Sequence, residues 1–244
     1  MKVAISLVYR DEKDAEKLAS LEKLGVGVLV ELPGNVLKEL GVDEITDPLI
    51  EYKVRFPIVS VAFGREVDLA EKAVIIAEEL GSEYVTVTLG AERLSYFASI
   101  TKDLFRIFSC YKVGLCIGAE ESYVGMLKEI ILSNIGGVFW LTISPGHTME
   151  TGRLIRLIEE NLRVVRIIRA VNYADKAIRP LFKGKSINYY KVLKKLLEVG
   201  YQGYFVLDYE PKGLPLKVGE LSRELELIGQ VISSLHALRR RSSR

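Results

Sequence analysis

Eight times along this chain a short apolar, β-branched run gives way to a stretch of helical period. That alternation restricts the fold more than any other feature. The runs are Val3–Val8, Val26–Leu32, Ile58–Phe63, Tyr84–Leu89, Val113–Ile117, Val138–Ser144, Val164–Val171 and Tyr204–Asp208. Between them, Lys13–Leu24 (KDAEKLASLEKL) and Asp68–Leu80 (DLAEKAVIIAEEL) place apolar residues three or four apart, the spacing of one helix face. Leu94–Phe108, Tyr123–Ile135, Met149–Leu162, Tyr189–Val199 and Gly219–Leu238 keep the same period. The second crossover, Asn35–Ile50, is the least regular, and Pro48 is expected to close it. Gly25, Gly81 and Gly200 stand where a helix must stop in the left-handed conformation that glycine tolerates.

Strands joined by crossover helices make parallel sheets, and eight such units predict an α/β fold, a single (β/α)8 TIM barrel. An open doubly wound sheet is the alternative, but no GxGxxG turn follows the first strand. The expected organisation is one barrel over residues 1–238 and a disordered basic tail, RRRSSR, over 239–244.

Composition narrows the partners. The 34 basic and 32 acidic residues leave a formal charge of +2, too little to draw the whole protein to nucleic acid. No apolar run approaches the roughly 20 residues that span a bilayer. The opening MKVAISLVYRDEKD is too short in apolar residues for a secretory leader, so a cytoplasmic protein is expected. Cys110 and Cys116 offer neither a disulfide framework nor zinc spacing, and Cys116 reads as core. Few Gln and Asn beside many Glu, Lys and Arg is a bias common in proteins from hot environments.

A closed barrel carries its functional groups at the carboxyl ends of its strands. Those ends offer Glu31; Arg65 and Glu66; Glu92 and Arg93; Glu120 and Glu121; Ser144 and His147; Arg169 and Asn172; and Asp208 and Glu210. Residues two apart share a strand face, so Asp208 and Glu210 can both look into the mouth with Tyr209 turned outward. Trp140 lies mid-strand and reads as core. Arg169, with Lys183 and Lys185 on the following loop, suits a phosphate or carboxylate. The alternative is internal pairing of Arg169 with Asp208 or Glu120.

The stretch from Lys183 to Glu210, KGKSINYYKVLKKLLEVGYQGYFVLDYE, resembles the last helix and strand of the xylose-isomerase-like TIM barrels. That superfamily includes sugar isomerases, sugar epimerases and an apurinic-site endonuclease. The resemblance implies a divalent metal (Mn, Zn or Mg) held by a Glu ending strand five, a D-x-x-H at strand six, an H-x-x-D at strand seven and a Glu ending strand eight. In this chain Asp208 stands for the last Glu and His147 for the strand-six His, with Ser144 at its Asp. Arg169 and Asn172 stand at the strand-seven His and Asp, and an Arg cannot shed its proton to bind metal. Gly118 occupies the natural register of the strand-five Glu, and Glu120 lies two residues beyond. Ala62 and Phe63 stand where many members have a strand-three His. The implied metal set shrinks to His147, Asp208 and Glu120, which would hold an ion weakly or not at all.

Three functions are compatible with these residues. The first is an isomerase or epimerase of a sugar, sugar phosphate or polyol. Glu120 and Asp208 would be its acid–base pair, and Arg169, Asn172, Lys183, Lys185, Glu31 and Glu210 would contact substrate. The second is a non-catalytic binding or scaffold barrel that has lost the metal site. The third, an apurinic-site endonuclease, is disfavoured by near-neutral charge and only two histidines. The expected partner is a small carbohydrate-like molecule, not nucleic acid or membrane, with homo-oligomerisation left open.

Overall fold

A computed structural model describes residues 1–51, 58–61, 67–89, 94–119, 121–133, 137–215 and 217–242. The first half of the chain runs β1 (Lys2–Val8), α1 (Glu12–Glu22), β2 (Gly27–Leu32), α2 (Gly34–Glu39), α3 (Val42–Glu51), β3 (Ile58–Val61), α4 (Val67–Glu79), β4 (Tyr84–Leu89) and α5 (Leu94–Tyr111). The second half runs β5 (Gly114–Ala119), α6 (Val124–Ser133), β6 (Phe139–Ile143), α7 (Thr151–Asn161), β7 (Val165–Ala170), β8 (Asn172–Ala174), β9 (Ala177–Arg179), α8 (Tyr189–Glu198), β10 (Tyr204–Leu207) and α9 (Val218–Ser242).

The principal sheet is parallel and curls until its ends meet. Its order is β1-β10-β7-β6-β5-β4-β3-β2, with β1 paired to β10 on one side and to β2 on the other, a closed barrel. Such strands are covered on both faces, which is why they read as nearly continuous apolar runs. Ile5, Leu7, Val28, Val30, Leu115 and Leu141 are fully buried in the larger core cluster, which they share with helical side chains such as Leu18, Leu104 and Leu193. Ala4, Leu29, Cys116, Ile167, Tyr204 and Val206 form a second, separate cluster with Tyr84 and Trp140 against it. Alternate residues of single strands fall in the two clusters, so the smaller one is the filling of the barrel.

Helix ends follow the local chemistry. Asp11 caps α1 by accepting from the Lys13 amide at 2.9 Å, and Asn188 caps α8 through Lys191 N at 3.2 Å. In α8 the buried residues Tyr189, Val192, Leu193 and Leu196 are three or four apart, the stripe that docks it on the barrel. Gly25, Gly81 and Gly200 have φ of +65°, +66° and +70°, the left-handed stops their positions predicted.

Two expectations need correction. Pro48 does not close the second crossover: it lies inside α3, which continues to Glu51, while α2 and α3 split that crossover in two. A short antiparallel pair, β8 and β9, follows β7 where only a loop was foreseen. Its turn puts Asp175 and Lys176 at φ of +52° and +63°, the paired left-handed residues of a tight hairpin. At the other end of the chain, α9 runs on to Ser242.

Candidate functional site at the carboxyl ends of the strands

Two residues beyond the interior plug of Ala4, Leu29, Cys116, Ile167 and Val206 stand Ser6, Glu31, Gly118, Arg169 and Asp208. Shared parity puts these five on the same inner face, at the carboxyl-end layer of the barrel. The filling thus changes from apolar to polar within one layer. Ser6 is fully buried and donates to Leu207 O at 3.0 Å.

Arg169 is the centre of this layer. Its Nη2 donates to Asp208 Oδ1 at 2.7 Å and to Glu31 Oε2 at 2.8 Å. From β7 the guanidinium therefore passes β10 and β1 to reach β2. Its side chain is 6% exposed; those of Asp208 and Glu31 are 0% and 24% exposed. Burial alone would weaken Arg169 as a base, but the charges of Asp208 and Glu31 outweigh it and raise its pKa further. Among the described residues the pairing leaves two buried polar atoms without partners, Arg169 Nε and Asp208 Oδ2. Buried polar atoms are nearly always paired, so this layer has hydrogen-bonding capacity to spare.

Of the residues expected at the site, Arg169, Asp208 and Glu31 come together. Glu210 does not join them, although it was expected to face the mouth. Its Oε2 accepts from the Val8 amide at 2.8 Å and its Oε1 from Lys17 Nζ at 2.8 Å, which ties the turn after β10 to β1 and α1. Asn172 is also structural. Its Nδ2 donates to Leu181 O at 2.7 Å and Ile187 O at 2.8 Å, and its Oδ1 accepts from the amides of Tyr173 at 2.9 Å and Ile187 at 3.1 Å. A side-chain amide has two donors and two acceptor positions, and all are in use. Gly184 lies so close that a Cβ there would fall 2.2 Å from Asn172 Cγ.

Lys183 is exposed and reaches Glu220 at 3.3 Å, while Lys185 is exposed on the same loop. His147 is exposed too, its ring edge-on to Tyr173 at 6.4 Å between centroids. Glu121 pairs with Arg153. Glu120 lies outside the described residues, as do Ala62, Phe63, Arg65, Glu66, Glu92 and Arg93.

Sequence reasoning missed Tyr173. This half-buried phenol opens the hairpin, and burial, with the charge of Asp208 adding to it, raises its pKa.

Among the described residues the donor set does not fit a hard divalent ion. Asp208 and Glu31 are already committed to a guanidinium, and His147 is turned to solvent. Among the described residues no three His, Cys, Asp or Glu side chains are grouped to hold a metal, and such an ion needs several ligands at once.

No protein-family model and no curated protein sequence matches the chain. Solved structures do match it in fold. A xylose isomerase domain protein from Planctomyces limnophilus has a TM-score of 0.71 at 14% identity, over 97% of this chain and 98% of that one. Endonuclease IV from Thermus thermophilus has a TM-score of 0.63 at 14% identity, over 96% and 100%. A protein from Sinorhizobium meliloti 1021 has a TM-score of 0.62 at 12% identity, over 97% of both chains. At these identities the likeness is one of fold alone: the chain shares the architecture of these neighbours. Among the described residues no helix is long and apolar enough to cross a membrane.

Proposed function

We propose that this (β/α)8 barrel binds a small polyhydroxylated molecule, a sugar or polyol, at the carboxyl ends of its strands without a divalent ion. The observation that carries this reading is the Arg169 bridge, which ties up one oxygen of Asp208 and one of Glu31 yet leaves Arg169 Nε and Asp208 Oδ2 unpaired in a buried layer. A hydroxyl group both accepts and donates. Neighbouring hydroxyls of a polyol can accept from Nε–H and donate to Oδ2, meeting both needs together. Leaving each unmet costs about 1–3 kcal/mol, so a ligand that fills them stabilises the fold as it binds.

Calorimetry with sugars, polyols and sugar phosphates in the presence of a chelator tests this reading. Binding that survives chelation and is lost in Asp208→Asn supports it. Binding that requires added Mn²⁺, Zn²⁺ or Mg²⁺, or that ignores Asp208→Asn, refutes it. Sugar phosphates that bind more tightly than their parent sugars, with the gain lost on replacing Lys183 and Lys185, would give those two lysines the anion-binding role.

A second reading is isomerase or epimerase chemistry, and one geometric fact favours it. Glu31 and Asp208, from separate strands, flank a single guanidinium, a placement from which two carboxylates could work on one bound carbon. The name of the Planctomyces limnophilus neighbour, a xylose isomerase domain protein, points the same way. Exchange of a ligand C–H with solvent deuterium, abolished by Asp208→Asn, would establish turnover. Tight binding with no exchange leaves the protein a binder.

A further inference from the structure

The opposite end of the barrel has an independent feature. The ladder between β6 and β7 slips there: Leu141 pairs with Val165, but Thr142 pairs with Ile167. Arg166 is the extra residue. Val165 belongs to the outer core and Ile167 to the barrel filling, so the slip breaks the alternation at Arg166. Bulges of this kind re-aim side chains and gather near functional sites. Here the Arg166 guanidinium lies 3.6 Å from the centre of the Trp140 ring. Its Nη1 donates to the carbonyls of Val165 at 3.2 Å and Arg163 at 3.3 Å.

Two cavities meet at this end, sharing Glu83 and Tyr84. One, of about 380 Å³, is lined by Arg163, Arg166, Tyr201 and Tyr204. The other, of about 590 Å³, is lined by Trp140, Phe105 and Lys112. Both volumes fall in the range of small-molecule sites. Among the described residues Glu83 is the only acid in either wall, and it is engaged: its Oε1 accepts from Lys2 Nζ and Tyr204 Oη, both at 2.6 Å. Burial raises the Tyr204 phenol and the Glu83 charge adds to it, up to about 12, so it stays a donor. Among the described residues Arg163, Arg166 and Lys112 have no carboxylate partner. The walls therefore present aromatic rings together with uncompensated positive charge.

We infer that this amino-terminal end is a second ligand site, which takes a planar aromatic group bearing an anion, such as a nucleoside monophosphate or an aryl carboxylate. The ring packs among Tyr84, Trp140 and Phe105, and the anion meets Arg163, Arg166 and Lys112.

Trp140 is the sole tryptophan of the chain, so its emission and its single indole N–H resonance report on this end alone. The intact protein is titrated with AMP, adenosine, inorganic phosphate and 4-hydroxybenzoate. AMP should shift both Trp140 signals saturably, and adenosine or phosphate alone should do so far more weakly. The exposed pair Lys112→Ala and Arg163→Ala should weaken AMP on the order of tenfold. Asp208→Asn, at the other end, should leave the response as in the parent. A comparable response to 4-hydroxybenzoate supports a general aromatic-anion site, and a response to AMP alone supports a nucleotide site. The inference is overturned if neither aromatic anion gives a saturable change, if adenosine matches AMP, or if the double variant responds like the parent.

Discussion

Replacing Arg169 by Met keeps an unbranched apolar stem but deletes the guanidinium that Asp208 and Glu31 share. Glu31, with 24% of its side chain exposed, can turn to water, whereas Asp208 has no exposed surface, so the loss falls on Asp208. Breaking a buried ion pair from one side costs about 3–5 kcal/mol, against a total domain stability of roughly 5–15 kcal/mol. Adding Asp208→Asn removes the stranded charge and leaves a neutral amide, whose unmet burial costs about 1–3 kcal/mol. The double variant should therefore be more stable than Arg169→Met alone by about 2 kcal/mol. Urea unfolding of the parent, the single variants and the double variant measures this directly, provided the slope with denaturant is unchanged. The reasoning fails if Arg169→Met lies within about 1 kcal/mol of the parent. It also fails if Asp208→Asn deepens the loss.

Further outcomes follow from other sites. Glu224 is buried, takes a hydrogen bond from Tyr209, and is raised in pKa chiefly by burial. The folded state then holds that proton more tightly than the unfolded chain does. Its contribution is full below the ordinary glutamate range and declines as pH rises toward the raised value; Glu224→Gln should flatten that decline in melting temperature. Asp14 has the opposite sign: burial works against its charge, but Lys17 and the Arg10 amide outweigh it and hold its pKa below the usual range. Its contribution is present above that range and fades as pH falls, so Asp14→Asn should flatten the acid limb. Gly184→Ala would press a Cβ against Asn172, at a cost of about 1–3 kcal/mol in urea unfolding, with faster amide exchange at Tyr173 and Ile187.

The fold was largely legible because both of its periods were. Helical spacing put Tyr189, Val192, Leu193 and Leu196 on one face, and strand parity put Asp208 inward and Tyr209 outward, where its hydroxyl accepts from Leu181 N at 2.9 Å. Its place at the end of the seventh strand put Arg169 at the mouth, and internal pairing with Asp208 or Glu120 was one of the two readings open to it. The roles of Asn172 and Glu210 were not legible. Each is decided by backbone groups of distant segments, Leu181 and Ile187 for one and Val8 for the other, and no local pattern encodes them. The bulge at Arg166 was hidden for a related reason. It is a mismatch between two strands, and a single run such as VVRIIRA contains only one of them.

The join between β1 and β10 brings together residues about 200 positions apart, and much of its fastening is polar. Ser6 holds Leu207, Glu210 holds the end of β1, and Lys2 holds Tyr204. Arg169 straddles the same join from above. Contacts of such long sequence separation form late and slowly. Ionic fastenings also weaken as dissolved salt screens them, whereas greasy ones do not. The cylinder thus has a zipper built from charges and hydroxyls, and ionic strength should govern how readily it comes undone along that line.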